Sequence, residues 1–175
     1  GADGLLFLCR KFTEKERIFM DLSTIGVKVG YAVETSKGTK PTAFTWLKRC
    51  KSVAGIELTS EKIDITALED RIKQYTEGVA DTGGNWALTF GLSNDVVTAL
   101  TKLRDDSVAG KESDLATWFD VWFPSLDKSF YVKAEPGMIP LPEIGVNAPA
   151  EIAVNCTINK YIGLEVAIEP TEAAA

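Results

Sequence analysis

The chain has 175 residues, 45% of them hydrophobic and 25% charged, which suits one ordinary domain with a core of normal size. Its formal charge is -6, from 19 basic and 25 acidic residues. This excludes the dense basic surface of a sequence-independent nucleic-acid binder, but not an acidic wall past which nucleic acid slides without sticking. Histidine is absent, so the commonest general base and metal ligand is missing, and no apolar run is long enough for a helix to cross a membrane.

Residues 1–19 read differently from the rest. Leu5-Leu6-Phe7-Leu8-Cys9 is apolar but too short and wrongly flanked for a secretory signal, and the bulk of Phe7 and Leu8 does not suit an acylation site. Glu14-Lys15-Glu16-Arg17 precedes Met20, and its codons are purine-rich like a ribosome-binding site. The expectation is that Gly1 is a tag remnant, that residues 2–19 are translated upstream sequence and that Met20 is the natural start. The alternative is a genuine N-terminal arm. The three cysteines, Cys9, Cys50 and Cys156, are far apart and lack a CxxC pair, so they read as reduced thiols rather than a zinc site or a disulfide.

Alternation with a period of two dominates the chain after Met20. Val27, Val29, Tyr31 and Val33 fall on one face of a first strand, which Gly38, Thr39 and Pro41 end; Trp46 and Leu47 form a short apolar anchor. Strand character resumes at Ser52. Ile56 and Leu58 share one parity while Ile63 and Ile65 share the other, so one unbroken strand cannot put both pairs on one face. A turn, bulge or sheet crossing is predicted at Ser60 to Lys62. Thr66 to Gly78 is an exposed loop or arm, with Leu68, Ile72 and Tyr75 at spacing that permits limited helix. Asp81-Thr82-Gly83-Gly84 signals a turn, and Trp86, Leu88 and Phe90 share a face of the next strand.

A helix is predicted from about Asn94 to Ser107, capped by Ser93 or Asn94, with Val96, Leu100 and Leu103 as its buried stripe and Gly110 closing the region. Phe119, Val121 and Phe123 then alternate with Trp118, Asp120 and Trp122; Phe130 and Val132 alternate with Tyr131 and Lys133. Ile152, Val154, Cys156 and Ile158 mark another strand, and Leu164, Val166 and Ile168 a last one. The tail, residues 170–175, is expected to be flexible. The fold class is therefore mainly β (α+β): a small β-sandwich or barrel of about seven or eight strands flanked by one α-helix, a single domain over residues 20–169 with a projecting arm over about 56–86.

The search for chemistry is mostly negative. Asp81-Thr82-Gly83 matches the short core of aspartic proteases, but that reaction needs two such loops sharing a proton, and a plain turn explains one copy. Asn155-Cys156-Thr157 fits a glycosylation sequon inside a predicted strand. Glu151, Glu165 and Glu169 read as a solvated face, and Lys111-Glu112-Ser113-Asp114 lacks a calcium-loop pattern. Trp118, Trp122 and Phe123 have the surfaces to stack on sugars, though at strand spacing they read first as core and interface. No catalytic, cofactor-binding or metal-binding residue is assigned, no cofactor is expected, and the chain does not read as an enzyme.

From Met20 onward the chain resembles the major tail proteins, or tail-tube proteins, of long-tailed, non-contractile phages and prophages of Gram-positive bacteria. The resemblance rests on the opening Met20-Asp21-Leu22-Ser23-Thr24-Ile25-Gly26-Val27-Lys28-Val29-Gly30-Tyr31, on Ile63-Asp64-Ile65-Thr66-Ala67-Leu68-Glu69-Asp70, and on the passage through Lys73-Gln74-Tyr75-Thr76-Glu77-Gly78 to Asp81-Thr82-Gly83-Gly84-Asn85-Trp86. The helix after Phe90 and the strand after Pro149 also fall where that family places them. The resemblance implies a virion protein made in the bacterial host cytoplasm. Its partners are then copies of itself in hexameric rings that stack into a tube, together with tape-measure and tail-terminator proteins, and DNA transits the lumen without specific binding. Glu57, Glu61, Asp64, Glu69, Asp70, Glu77 and Asp81 become candidates for an acidic lumen. The alternatives are the tube protein of a contractile injection system, or a β-sandwich carbohydrate-binding module using Trp118 and Trp122.

Overall fold

The computed structural model describes residues 22–173. The expectations for residues 1–19, for Met20 as the start and for Cys9 lie outside the described residues. Nine strands and one helix follow in the order β1 (Lys28–Val33), β2 (Thr45–Leu47), β3 (Cys50–Val53), β4 (Thr59–Asp64), β5 (Tyr75–Asp81), β6 (Asn85–Gly91), α1 (Asn94–Glu112), β7 (Thr117–Trp122), β8 (Lys128–Pro136) and β9 (Glu151–Val166). The mainly-β fold with one flanking helix is as the sequence implies; the strand number exceeds the seven or eight expected.

Seven strands form one sheet in the order β2-β1-β7-β8-β9-β6-β3, every neighbouring pair antiparallel. Its two edge strands, β2 and β3, are consecutive in the chain, with only Lys48 and Arg49 between them. A two-residue link spans roughly 10 Å at most, so the sheet must roll until its edges nearly meet. Arg49 takes a φ of 60° to turn the chain there. Inside the roll sit Val29, Tyr31, Leu47, Trp86, Leu88, Phe90, Phe119, Val121, Val132, Ile152, Val154 and Cys156. These are the inward parity of each strand, as alternation predicts.

Strand β9 makes the roll possible. Its first half, Glu151 to Thr157, pairs with β6, while Cys156 to Val166 pairs with β8, so the two pairings overlap only at Cys156 and Thr157. The sequence suggested two strands here. The structure corrects this to one 16-residue strand that changes partner part-way. Register shifts on the β8 side and a φ of 91° at Gly163, a conformation open to glycine, accommodate the bend.

The helix packs Val96, Leu100 and Leu103 into the same core. Ser93 caps it, its Oγ accepting from the Val96 N–H at 3.3 Å, and Asp95 and Lys111 complement the two ends of the helix dipole. It runs five residues beyond the predicted end. Gly110 does not close it; a Cβ at Gly110 would lie 2.6 Å from Val33 Cγ1, so glycine lets the last turn sit directly against β1.

A second layer covers the outer face of β1, β7 and β8. Phe44, Trp118 and Tyr131 are buried there, with Ala32, Ile162 and Ile168 packed against them. The expected free tail is corrected in part: Pro170 is fully buried and Thr171 is hydrogen-bonded to both Phe44 and Trp46. Ala32 and Trp118 thus stand on a face that is interior as well.

Candidate assembly surface

Strands β4 and β5 form their own two-stranded sheet, apart from the rolled one. The ladder pairs Thr59 with Asp81 and Ser60 with Ala80, then slips by one residue, and resumes with Lys62 opposite Glu77, Ile63 opposite Thr76 and Asp64 opposite Tyr75. The slip falls where the parity conflict predicted a bulge, at Ser60 to Lys62, but its extra residue is on β5, where Gly78 and Val79 lie opposite Glu61 alone. Strand β4 therefore keeps its alternation, with Ser60, Lys62 and Asp64 on one face and Glu61 and Ile63 on the other, so Leu58 and Ile63 face opposite ways. Across the ladder Thr76 and Gly78 share the face of Ile63. Ile63 lies over Gly78, where an added Cβ would be 3.5 Å from its Cδ1. The opposite face carries Ser60, Lys62, Asp64, Tyr75, Glu77 and Ala80.

The hairpin thus leaves apolar side chains on both faces largely uncovered by the described residues. Leu58, Ile63 and Ile65 are 55%, 50% and 54% exposed. Leu68 and Ile72 at the tip are exposed too, and no helix forms there. Side chains tie the tip instead. Asp64 accepts from the Thr66 backbone N–H at 2.9 Å, Asp70 accepts from the Ala67 N–H at 2.9 Å, and the Gln74 N–H donates to Thr66 Oγ1 at 3.0 Å. These contacts hold Asp64 below the usual carboxylate range, chiefly through Thr66. At the base, Asp81 Oδ1 accepts from the Gly83 N–H at 3.0 Å, and Gly83 and Gly84 both take positive φ. The Asp-Thr-Gly match is therefore a turn closed by its own aspartate.

Of the seven acidic candidates for a lumen, Glu57, Glu61, Asp64, Glu69, Glu77 and Asp81 are exposed and Asp70 is half-buried. Asp64 and Glu77 share one face of the hairpin; Asp64, Asp70, Glu77 and Asp81 also hold local structure together, Glu77 by accepting from Ser60 Oγ at 3.0 Å. The loop between β8 and β9 adds a second exposed apolar stretch, with Met138, Leu141, Ile144 and Val146 outward.

The aromatic pair proposed for sugars is not arranged for stacking. Trp118 is 4% exposed and donates its indole N–H to Glu34 at 2.7 Å. Trp122 lies under Lys28, whose Nζ is 5.4 Å from its ring. Alternation puts Glu34 with Ala32, off the face of Val29 and Tyr31, so sequence reasoning gave it no role. Glu34 is buried, pairs with Lys133 at 2.6 Å and accepts from the amides of Gly38 and Ala116. It borders a cavity of about 360 Å³ whose other charges, Lys37 with Asp114 and Lys111 with Glu135, are also paired. Among the described residues no group of His, Cys, Asp or Glu is placed to hold a metal.

No protein family model and no curated protein matches the chain. Two similar solved structures are a chain from the tail of an empty GTA particle with C6 symmetry and a chain from the 6-fold symmetrised baseplate of the anti-feeding prophage (AFP). The first is 12% identical with a TM-score of 0.45, over 71% of this chain and 87% of that one. The second is 11% identical with a TM-score of 0.43, over 85% of this chain and 97% of that one.

Proposed function

We propose that this chain is a structural subunit of a phage or prophage tail tube, assembling with copies of itself and not catalysing a reaction. The observation that carries the reading is the β4–β5 hairpin. A lone two-stranded hairpin is marginal in water, and this one leaves Ile63 and Ile65 on one face and Leu58 on the other at least half exposed, uncovered by the described residues. Its natural cover is the neighbouring copy, since hairpin and rolled sheet are different surfaces and a heterologous contact of that kind makes a ring when the rotation between copies closes. Six copies per ring, stacking around DNA, and the tape-measure and terminator partners come from the family resemblance of the sequence. The acids along the hairpin suit a channel that DNA passes without adhering.

A tube of a contractile system is the second reading; a sheath gene beside this one distinguishes it. The burial of Trp118 removes the main support for a carbohydrate-binding module.

Electron microscopy across a concentration series tests the proposal. Hollow tubes or sixfold rings are expected, and the double variant Ile63→Glu/Ile65→Glu is expected to stay folded but single. A chain that remains monomeric at every concentration, or a variant that still forms tubes, overturns it.

A further inference from the structure

Strand β2 is an edge of the large sheet, yet its backbone is covered. The Trp46 N–H donates to the Thr171 carbonyl at 2.7 Å, and the Thr171 N–H donates to the Phe44 carbonyl at 3.0 Å. Thr171 belongs to a strap, residues 167–173, that leaves β9 and runs beside β2 in parallel. The strap is also held from beneath. The Ile168 N–H donates to Tyr131 Oη at 3.1 Å, and the Tyr131 hydroxyl donates to the Val166 carbonyl at 2.9 Å. Pro170 packs on Gly30 so closely that a Cβ there would be 2.8 Å from its ring.

Asp120 lies under this layer. It stands opposite Gly30 on one side and Tyr131 on the other, and its exposure is 0%. Neither carboxylate oxygen completes a hydrogen bond, and neither does the buried Ser129 hydroxyl. A charge buried without partners is costly, and a carboxyl in that position takes up a proton instead. The other charges on this face are engaged elsewhere. Lys40, on the approach to β2, bonds the Val166 carbonyl and pairs with Glu165 of β9; Lys28 of β1 pairs with Glu169 of the strap; Lys133 of β8 pairs with Glu34. Burial pushes the Asp120 carboxyl up to about 7; Ser129, nearby but outside hydrogen-bonding geometry, and the Lys40 ammonium offset only part of that.

We propose that residues 167–173 are a removable cover for the β2 edge, and that closing it is coupled to uptake of a proton by Asp120. Lifting the strap hydrates Asp120 and frees the Trp46 N–H and Phe44 carbonyl to pair with a strand of a second copy, so the closed strap holds a single chain back from edge-to-edge association. With the strap open the carboxyl has its ordinary pKa, about 4. Between that value and the closed-state value near 7 the closed form carries a proton that the open form lacks. The cover therefore weakens as pH rises through this window, by up to about tenfold per unit, and changes no further above it, where both forms are ionised.

Hydrogen exchange on dilute, monomeric protein tests this independently of any tube. Protection factors of the Trp46, Ile168 and Thr171 amides are followed from pH 4 to pH 8, with the β6 amides as reference. The strap amides are expected to lose protection between about pH 4 and 7 while β6 does not, and Asp120→Asn is expected to abolish that pH dependence. Flat protection in the wild type, an equal fall in strap and β6, or an unchanged fall in Asp120→Asn overturns the proposal. If Asp120→Asn does not fold, the contrast between strap and β6 in the wild type decides alone.

Discussion

Glu34 shows how much one buried side chain can organise. Burial works to raise its pKa, but Lys133, the Trp118 indole and the amides of Gly38 and Ala116 outweigh that and hold the carboxyl at about 2. A depressed pKa means that its contribution is complete above the ordinary carboxylate range and is lost as pH falls from about 4.5 toward 2. Glu34→Ala leaves Lys133 and the indole facing an empty site, and about 3 kcal/mol of stability is expected to go, read as a shift of the urea midpoint at neutral pH. The two described thiols are the converse case. Burial pushes Cys156 up to about 12 and Cys50 up to about 11, so both should resist alkylation in the native state. Peptide mass spectrometry after native and denaturing labelling would check this, and rapid native modification of Cys156 would contradict its place in the core.

At the level of elements, the helix and the hairpin make opposite predictions. Leu103 is part of the helix's buried stripe, and Leu103→Ala should cost about 3 kcal/mol in chemical unfolding with assembly otherwise intact. Ile63→Glu/Ile65→Glu should leave the unfolding midpoint of the single chain almost unchanged and remove assembly, because those side chains already face water. A ladder irregularity at Ser60 to Lys62 was legible in the sequence from the parity of Ile56 and Leu58 against Ile63 and Ile65, although its extra residue lies across the ladder, in β5, and leaves the two parities on opposite faces. The alternating faces of β1, β6 and β7 and the cap at Ser93 were legible for the same local reason. Three features were not. Gly110 reads as a stop signal until Val33 is known to lie against it. The two halves of β9 read as separate strands because its change of partner is a tertiary event. Glu34 and Asp120 fall on the parity opposite the core residues, and alternation cannot reveal that a second layer covers the outer face.

The whole molecule combines a net charge of -6 with a hairpin that carries several of the acids. Copies approaching one another repel before their apolar surfaces meet. Moderate salt screens that repulsion over a Debye length of about 10 Å at 0.1 M without weakening apolar contact. Light scattering is therefore expected to show assembly at lower protein concentration in 0.2 M salt than in 0.01 M salt; the reverse order would mean that ion pairs between copies dominate the interface.

The position of β9 between β8 and β6 also dictates an order of events in folding. Without it the large sheet falls into two pieces, β2-β1-β7-β8 and β6-β3, joined by no strand pairing. During synthesis the side of β6 that receives β9 therefore stays vacant until residues beyond Ala150 have emerged, some sixty positions after β6 itself. Such long-range closure is slow compared with helix or hairpin formation. A chain stopped at Ala150 should keep its helix signal in far-ultraviolet circular dichroism, yet lack the near-ultraviolet signature of a fixed Trp86 and Phe119.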